Sequence, residues 1–365
     1  MKLLISHLGG RPGGINSYII RMLECLENKD CEIGVLCNKR NPYIDELALK
    51  YSIKVHEIPR LIRPLSQFRS ICKLISDEGY DTTYFNISEA EDCVGLLAAK
   101  AAGVKRNIVH CHSTGINEAN PFKRYLFLCL HTIAKPVVAY AATDYVACAP
   151  LAAKWMFLGK TLEKAIIIYN SVHTEEMLFD QSIREEVREE LGLQDKFVLG
   201  NVAMYTFAKN KEFLFDIFYE FQKKLPSAVL LDVGGGPQLN QLKQKAVSLG
   251  IAEKTIFLGE RNDVSRLLQA MDFFVFPSRF EGQPVVAIEA QASGLKIIAG
   301  QHLDHSIAFG EQCLWQSLDE SASDWADRIL SAIPYQRYEK NDIDEFLKKF
   351  SVEVQNEKIC EVLGF

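Results

Sequence analysis

A chain of 365 residues, 48% apolar and 24% charged, has ordinary globular composition and is too long for one core; two domains of roughly 150 to 190 residues are predicted. A net charge of −6 and a pI near 5.8 argue against a nucleic-acid partner bound through a basic surface. None of the ten cysteines forms a Cys-x-x-Cys pair, so zinc-ribbon and thioredoxin-like readings lack support, and reduced, buried thiols of a cytosolic protein are expected.

The N-terminal "MKLLISHLGG" has an apolar core too short for a signal peptide and predicts a first strand, "KLLIS". Gly9, Gly10, Gly13 and Gly14 follow, before the amphipathic helix "INSYIIRMLECLE". A glycine cluster between strand and helix serves a tight turn as readily as a phosphate. "EIGVLC", "IKVHEI", "DTTYFN", "RNIVHCH", "DYVACA" and "KAIIIYN" predict further buried strands, with helical segments between most of them. Within this half, "RLIRPLSQFRSICKLI" carries Arg60, Arg63, Arg69 and Lys73 and no acid, interleaved with apolar residues. On an amphipathic helix that pattern suits a membrane surface or an anionic acceptor; a solvated helix face is the alternative. "NIVHCHSTG" places His110 and His112 two apart at a strand end. They are expected to point to opposite faces, with His110 structural and no joint metal site. The run "YLFLCLHTIAKPVVAYAA" is interrupted by His131, Lys135 and Pro136, short of about 18 clean apolar residues, and is not expected to span a membrane.

Residues 171–195 are charged and polar and predict a linker leading into a short surface helix. A second alternating run then begins. It comprises "FVLGNVAM", the helix "KEFLFDIFYEFQKKL", "AVLLDVGGG", the helix "PQLNQLKQKAVSLG", "TIFLGE", the helix "VSRLLQAM", "FFVFPS", the helix "PVVAIEAQASG" and "LKIIAG". The tail "DIDEFLKKFSVEVQNEKICEVL" predicts one more amphipathic helix. Alternating strands and helices, used twice, predict two α/β, doubly wound Rossmann-like domains with ligands at the carboxyl ends of their parallel strands.

"SRFEGQPVVAIEAQASG" holds the most informative pair, Glu281 and Glu289. Pro284 suits the first turn of a helix, where its missing N–H costs nothing, and Gly282 lets backbone approach a ligand closely. The free N–H groups of that turn make an anion site. Five residues of helix from Pro284 to Glu289 span roughly 7 to 8 Å. A diphosphate over the helix start with a hydroxylated group at either end fits that length, and carboxylates accept paired sugar hydroxyls. The alternative makes Glu281 a surface loop residue and Glu289 a solvent-facing one. Against it, the neighbours of Glu289 in "VVAIEAQASG" all look buried, and an unpaired buried carboxylate is costly.

The stretch "PSRFEGQPVVAIEAQASGLKII" resembles the Glu-x7-Glu signature of the retaining GT-B glycosyltransferases of family four. Within that family it is most similar to members that build bacterial capsular and exopolysaccharide chains. "ACAPLAAKWMFLGK", "KNKEFLFDIF", "LLDVGGGPQL" and "TIFLGERNDVSRLLQAMDFFVFPS" resemble the same subgroup, so the likeness covers nearly the whole chain. It implies a GT-B fold, two Rossmann-like domains facing a cleft. Residues 1–170 would form the acceptor side and 196–340 the nucleotide-sugar-binding domain, with a C-terminal helix over 341–365 crossing back to the first. Glu281 would hold hydroxyls of the transferred sugar and Glu289 the nucleotide ribose. Gly282, Gln283, Pro284, Val285 and Arg279 would line the donor site. His112 would contact the transferred sugar, and Gly13 and Gly14 the donor phosphate or acceptor. Family logic favours the membrane reading of the basic segment, because acceptors are often lipid-linked diphosphate sugars at the inner leaflet.

"GNVAMYTFAKN" departs from the family pattern. Members usually carry Gly-Arg a few positions before a Lys, and the two cations clamp the diphosphate. Here Lys209 is present, but Ala203 and Met204 stand in place of Gly-Arg. Losing one charge-assisted contact in a closed site costs ~2 to 4 kcal/mol of transition-state stabilisation, about 30- to 1,000-fold in rate. Arg279 or Arg261 are candidates to compensate. The one Asp-x-Asp, at Asp342 and Asp344, opens the tail helix, where acids suit the helix dipole, and no catalytic metal is expected. The resemblance thus implies retaining, metal-independent transfer of a hexose or N-acetylhexosamine from a UDP-linked donor to a growing glycan. No cofactor beyond the nucleotide-sugar substrate is implied, and the place is the cytoplasm or its membrane face. The donor phosphate itself would assist attack, since no side chain is an evident nucleophile. A second reading, motivated by Met204, is a GT-B pseudo-enzyme that binds and stabilises a partner glycosyltransferase subunit. A nucleotide-sugar epimerase is a third, for which no extra acid/base residues are found.

Overall fold

The computed structural model describes residues 1–10, 13–337 and 340–365, with the side chains of 174, 175 and 340–342 outside the description. The chain divides into two compact units. The first comprises Met1–Ile116, Asn120–Ser171 and Val352–Phe365; the second comprises Asn117–Ala119 and Val172–Ser351.

The first unit is a seven-stranded parallel sheet. Its strands are β1 (Lys2–Ile5), β2 (Glu32–Cys37), β3 (Lys54–Glu57), β4 (Thr82–Ile87), β5 (Arg106–Cys111), β6 (Asp144–Ala147) and β7 (Ile166–Ile167), in spatial order β3-β2-β1-β4-β5-β6-β7. Both faces of each central strand are apolar, which a parallel sheet sandwiched between helices requires. Leu4, Phe85 and Val109 pack toward helices Pro64–Glu78, Val94–Ala101 and Pro121–Ala141. Leu3, Ile5, Tyr84 and Ile108 pack on the other face, in the cluster of helices Gly14–Leu26 and Pro42–Lys50.

The second unit holds β8 (Phe197–Val202), β9 (Ala228–Val233), β10 (Thr255–Gly259), β11 (Phe273–Phe276), β12 (Ile297–Gly300) and β13 (Cys313–Gln316), all parallel, in order β10-β9-β8-β11-β12-β13. The pattern repeats the first unit. In each sheet the order reverses beside the first strand, between β1 and β4 and between β8 and β11. Such reversals leave a crevice at the carboxyl ends of the two strands, because their helices depart to opposite faces.

Two sequence expectations change, and a third gains detail. Within 171–195 a short helix is present, Gln181–Glu190; it buries Val187 and Arg188, and Arg184 and Arg188 both pair with Asp272 at the foot of β11. The tail is two helices rather than one. Lys340–Lys349 belongs to the second unit, where Phe346 meets Phe309, while Val352–Leu363 packs on Gly14–Leu26 through Ile359 and Val362. The thiols are all free, but five of the ten are only partly buried.

Candidate functional site

The loop leaving β8 is shaped by three glycines leaving β9. Gly234 has φ +134, and a Cβ there would lie 2.0 Å from the Ala203 carbonyl oxygen. At Gly236, φ +146, a Cβ would lie 2.8 Å from the backbone nitrogen and oxygen of Tyr205. Only glycine permits both the conformation and the approach. The Tyr205 N–H then donates to the Gly235 carbonyl at 2.8 Å, which fixes residues 203–205 and leaves the Met204 side chain 44% exposed.

A short 3₁₀ turn, Phe207–Lys209, follows and ends at Asn210 in the left-handed region, φ 51. The Asn210 amide donates to the Pro277 carbonyl at 3.0 Å, and the Arg279 N–H to the Ala208 carbonyl at 2.7 Å. The loops leaving β8 and β11 are therefore tied together across the switch point. That tie brings Lys209 and Glu281, 72 residues apart in sequence, into one pair. The Lys209 ammonium donates to both carboxylate oxygens, at 2.7 and 2.6 Å. Two of its three N–H bonds are used there, and the third can serve a phosphate oxygen. Arg279 braces the same turn: its guanidinium donates to the Phe207 carbonyl at 2.7 Å and stacks over the Phe207 ring. Arg261 makes a two-pronged pair with Asp263, two residues on.

Helix Val285–Ala292 starts just after Pro284, which occupies the position before the first helical residue. No side chain caps it. Gly282, Gln283 and Pro284 are buried in the approach, and Val285 opens the helix half-buried. Glu289 lies one turn on, half-buried between buried Ile288 and Ala290. Burial pushes its carboxyl up to about 7. No protein group among the described residues donates to it, in contrast to Glu281. A carboxylate left half-dry without a donor is set up to receive hydroxyl donors from outside the protein.

In the first unit, His112 follows the end of β5. The Asn86 amide is oriented by donating to the Ser6 carbonyl at 3.2 Å, so its oxygen accepts from His112 Nε2–H at 2.9 Å. The neutral ring leaves Nδ1 as an acceptor, and burial pushes the imidazole down to about 3. The rings of His110 and His112 are 3.9 Å apart. The expectation of opposite faces fails because residues two apart in a strand share a face. His110 is fully buried and joins a chain of hydrogen bonds, Tyr18 to Tyr84 at 2.7 Å and Tyr84 to His110 Nδ1 at 3.0 Å. Gly13 and Gly14 open helix Gly14–Leu26 and face open space; Arg11 and Pro12 beside them lie outside the described residues. Arg69 and Lys73 sit four apart on the exposed face of helix Pro64–Glu78. Arg60 and Arg63 are exposed in the turn before it, because Pro64 starts the helix. Among the described residues no group of three or more His, Cys, Asp or Glu side chains could hold a metal ion. Asp342 of the Asp-x-Asp lies outside the described side chains.

Residues 183–311, which contain Lys209, Glu281 and Glu289, match the family model for glycosyl transferases group 1. Along nearly its full length the chain is 24% identical to a putative glycosyltransferase, EpsF, of Bacillus subtilis, covering 95% of this chain and 91% of that protein. Over residues 183–311, about a third of its length, the chain is similar to the group 1 glycosyl transferases. It is also 26% identical to the Escherichia coli UDP-Gal:alpha-D-GlcNAc-diphosphoundecaprenol alpha-1,3-galactosyltransferase, over all of this chain and 90% of that one. Among solved structures it is similar to Anabaena Alr3699/HepE in complex with UDP-glucose. The TM-score is 0.79 at 20% identity, covering 100% and 99% of the two chains. The fold is GT-B, two Rossmann-like units.

Two features of this chain escaped the sequence reading. One is the pair Lys211–Asp232, fully buried beneath the Met204 loop, with Lys211 also donating to the Val233 carbonyl at 3.2 Å and lying over the Tyr205 ring. Burial lowers the Lys211 ammonium, and Asp232 opposes that. Asp232 ends an apolar strand beside "GGG", the one signal that could have marked it. The other is a cavity of about 640 Å³ at the opposite end of the second sheet, against Phe179, Arg184, Asp272 and Tyr335. It is remote from the carboxyl ends of β8 and β11.

Proposed function

We propose that this chain is a retaining, metal-independent glycosyltransferase. It moves a hexose or N-acetylhexosamine from a UDP-linked donor to a growing glycan, lipid-linked or destined for a surface polysaccharide, at the cytoplasmic face of the membrane. The observation that carries the reading is the contrast between two glutamates at the β8/β11 switch point. Glu281 is held by Lys209, and Glu289 has no protein donor among the described residues. Glu289 accepts from the ribose hydroxyls, and Glu281 accepts from hydroxyls of the transferred sugar. Lys209 meets the departing diphosphate with its third N–H, stabilising developing negative charge. Helix Val285–Ala292 presents its uncapped first turn to the same phosphates. In the first unit, His112 offers Nδ1 to a sugar hydroxyl. The donor and lipid-linked acceptor named for the Escherichia coli galactosyltransferase, and the UDP-glucose in Anabaena Alr3699/HepE, support the UDP and lipid parts of the reading.

Calorimetric titration with UDP, on the wild type and on Glu289→Ala and Lys209→Ala, tests it. Saturable binding that weakens in both variants is expected. If UDP, GDP and the other nucleoside diphosphates all fail to bind, the donor-site reading is wrong, and a non-catalytic subunit, motivated by Met204, takes its place.

A further inference from the structure

Helix Pro121–Ala141 is apolar on both sides. Its inner face is fixed. His131 Nδ1 accepts from the Ala90 N–H at 2.9 Å, its Nε2–H donates to the Trp155 carbonyl at 3.1 Å, and its ring stacks on Trp155. Val138 and Ala141 are buried beside it. The helix therefore cannot roll, and its other face is committed to the outside. That face carries Phe122, Leu126, Ile133 and Tyr140, at helical spacing, with Phe122 77% and Ile133 72% exposed. A stripe of this kind needs a partner.

Charge identifies the partner. Helix Val94–Ala101 packs against both Pro64–Glu78 and Pro121–Ala141, so all three form one layer on one face of the first sheet. Residues 58–76 and 120–143 contain no acid and seven bases: Arg60, Arg63, Arg69, Lys73, Lys123, Arg124 and Lys135. This is so in a chain of net charge −6. Ile62, 87% exposed, and Leu65 stand among the first four. Of the acids beside this layer, Glu89, Glu91 and Asp92 are partly buried, and burial raises all three carboxyls, Glu89 to about 8 and Asp92 to about 6. Glu89 is thereby largely uncharged at neutral pH; of the acids flanking helix Pro121–Ala141, Glu118 and Asp144, the second is paired with Arg106. Asp77 and Glu78 close the basic helix, and Glu78 is paired with Lys54.

We propose that the outward face of helix Pro121–Ala141, flanked by the basic segment Arg60–Lys73, docks on the surface of an anionic lipid bilayer. Apolar side chains enter the acyl boundary while Lys and Arg meet the headgroups, the arrangement of an interfacial amphipathic helix. A second copy of the chain is disfavoured as occupant, since a two-fold contact would press like charges together. Among the described residues no helix is long and apolar enough to cross a membrane, so the helix lies in the interface. The inference rests on the proposed membrane-face function for its use, and it identifies the surface that would serve it.

The test is sedimentation of the full chain with vesicles of phosphatidylcholine, with and without phosphatidylglycerol, alongside light scattering and UDP titration. Binding to the anionic vesicles is expected. The double substitution Phe122→Glu/Ile133→Glu should weaken it tenfold or more, and Arg69→Ala and Lys73→Ala about fivefold each. UDP affinity should stay unchanged in all of them, which also shows that the variants fold. Ile133→Leu should bind as the wild type does. Absence of vesicle binding, or binding that ignores the two glutamates, overturns the proposal. So does a concentration-dependent dimer that the glutamates dissociate. Intact vesicle binding without UDP binding would instead sink the donor site and leave this surface standing.

Discussion

Glu289→Gln should stabilise the empty protein and cripple it for its nucleotide. The carboxyl sits half-buried among apolar neighbours without a protein donor, and its pKa is raised from 4.5 to about 7. A rise of ~2.5 units at ~1.36 kcal/mol per unit corresponds to about 3 kcal/mol; its partial exposure brings the expectation to about 2 to 3 kcal/mol. The folded pKa lies above the unfolded one. The penalty is therefore absent below about pH 4.5, grows as pH rises through the window to about 7, and is complete above it. Glutamine has the same shape and no charge. The variant should thus match the wild type near pH 4 and exceed it by about 2 to 3 kcal/mol near pH 8. Urea unfolding followed by tryptophan fluorescence reads this, because Trp315 and Trp325 report on the second unit. UDP affinity at the higher pH should fall at least tenfold, as the acceptor for two hydroxyls becomes a weaker one. A variant equally stable at both pH values, or less stable near pH 8, would refute the reasoning, since it would mean that the carboxylate already has a donor.

Other outcomes follow from the same geometry. Lys209→Ala should lower kcat about 30- to 1,000-fold; Lys209→Ala/Glu281→Gln should regain stability lost with the pair but not turnover, which separates structure from catalysis. Met204→Arg, at an exposed position, should change unfolding free energy by no more than about 0.5 kcal/mol and raise turnover if a second cation aids departure of the diphosphate. Lys211→Met should cost about 3 to 5 kcal/mol in urea unfolding by stranding Asp232 in the core, and Lys211→Met/Asp232→Leu should recover most of it. Gly234→Ala should weaken UDP binding together with stability, because its Cβ would collide with the Ala203 carbonyl and shift the loop that leads to Lys209.

Legibility in the sequence tracked the range of the interaction. Strands β1 to β12 announced themselves as apolar runs, since parallel strands are buried on both faces. β13 was missed: "CLWQ" is four residues long, and three of them are only partly buried. The segment 171–195 read as a linker and short surface helix because its charges are local facts, whereas the docking of Arg184 and Arg188 on Asp272 joins residues more than 80 apart. The run "YLFLCLHTIAKPVVAYAA" lies within one helix, and which of its faces is exposed only packing could show.

The sequence by itself determined the twice-used strand–helix alternation, the resemblance to a family, and the residue types at the switch point, Lys209, Glu281 and Glu289 with Met204 in place of a second cation. Those follow from chain-local pattern, burial preference and resemblance. The tertiary structure decided which of those groups are engaged: that Lys209 is held by Glu281 rather than standing free, that Glu289 has no donor among the described residues, that Arg279 braces the Phe207 turn, and that Lys211 is sealed with Asp232. Each depends on where two loops from neighbouring parallel strands meet. Parallel strands are joined only through long crossovers, so partners in such a crevice lie tens of residues apart, and no spacing rule along the chain can pair them.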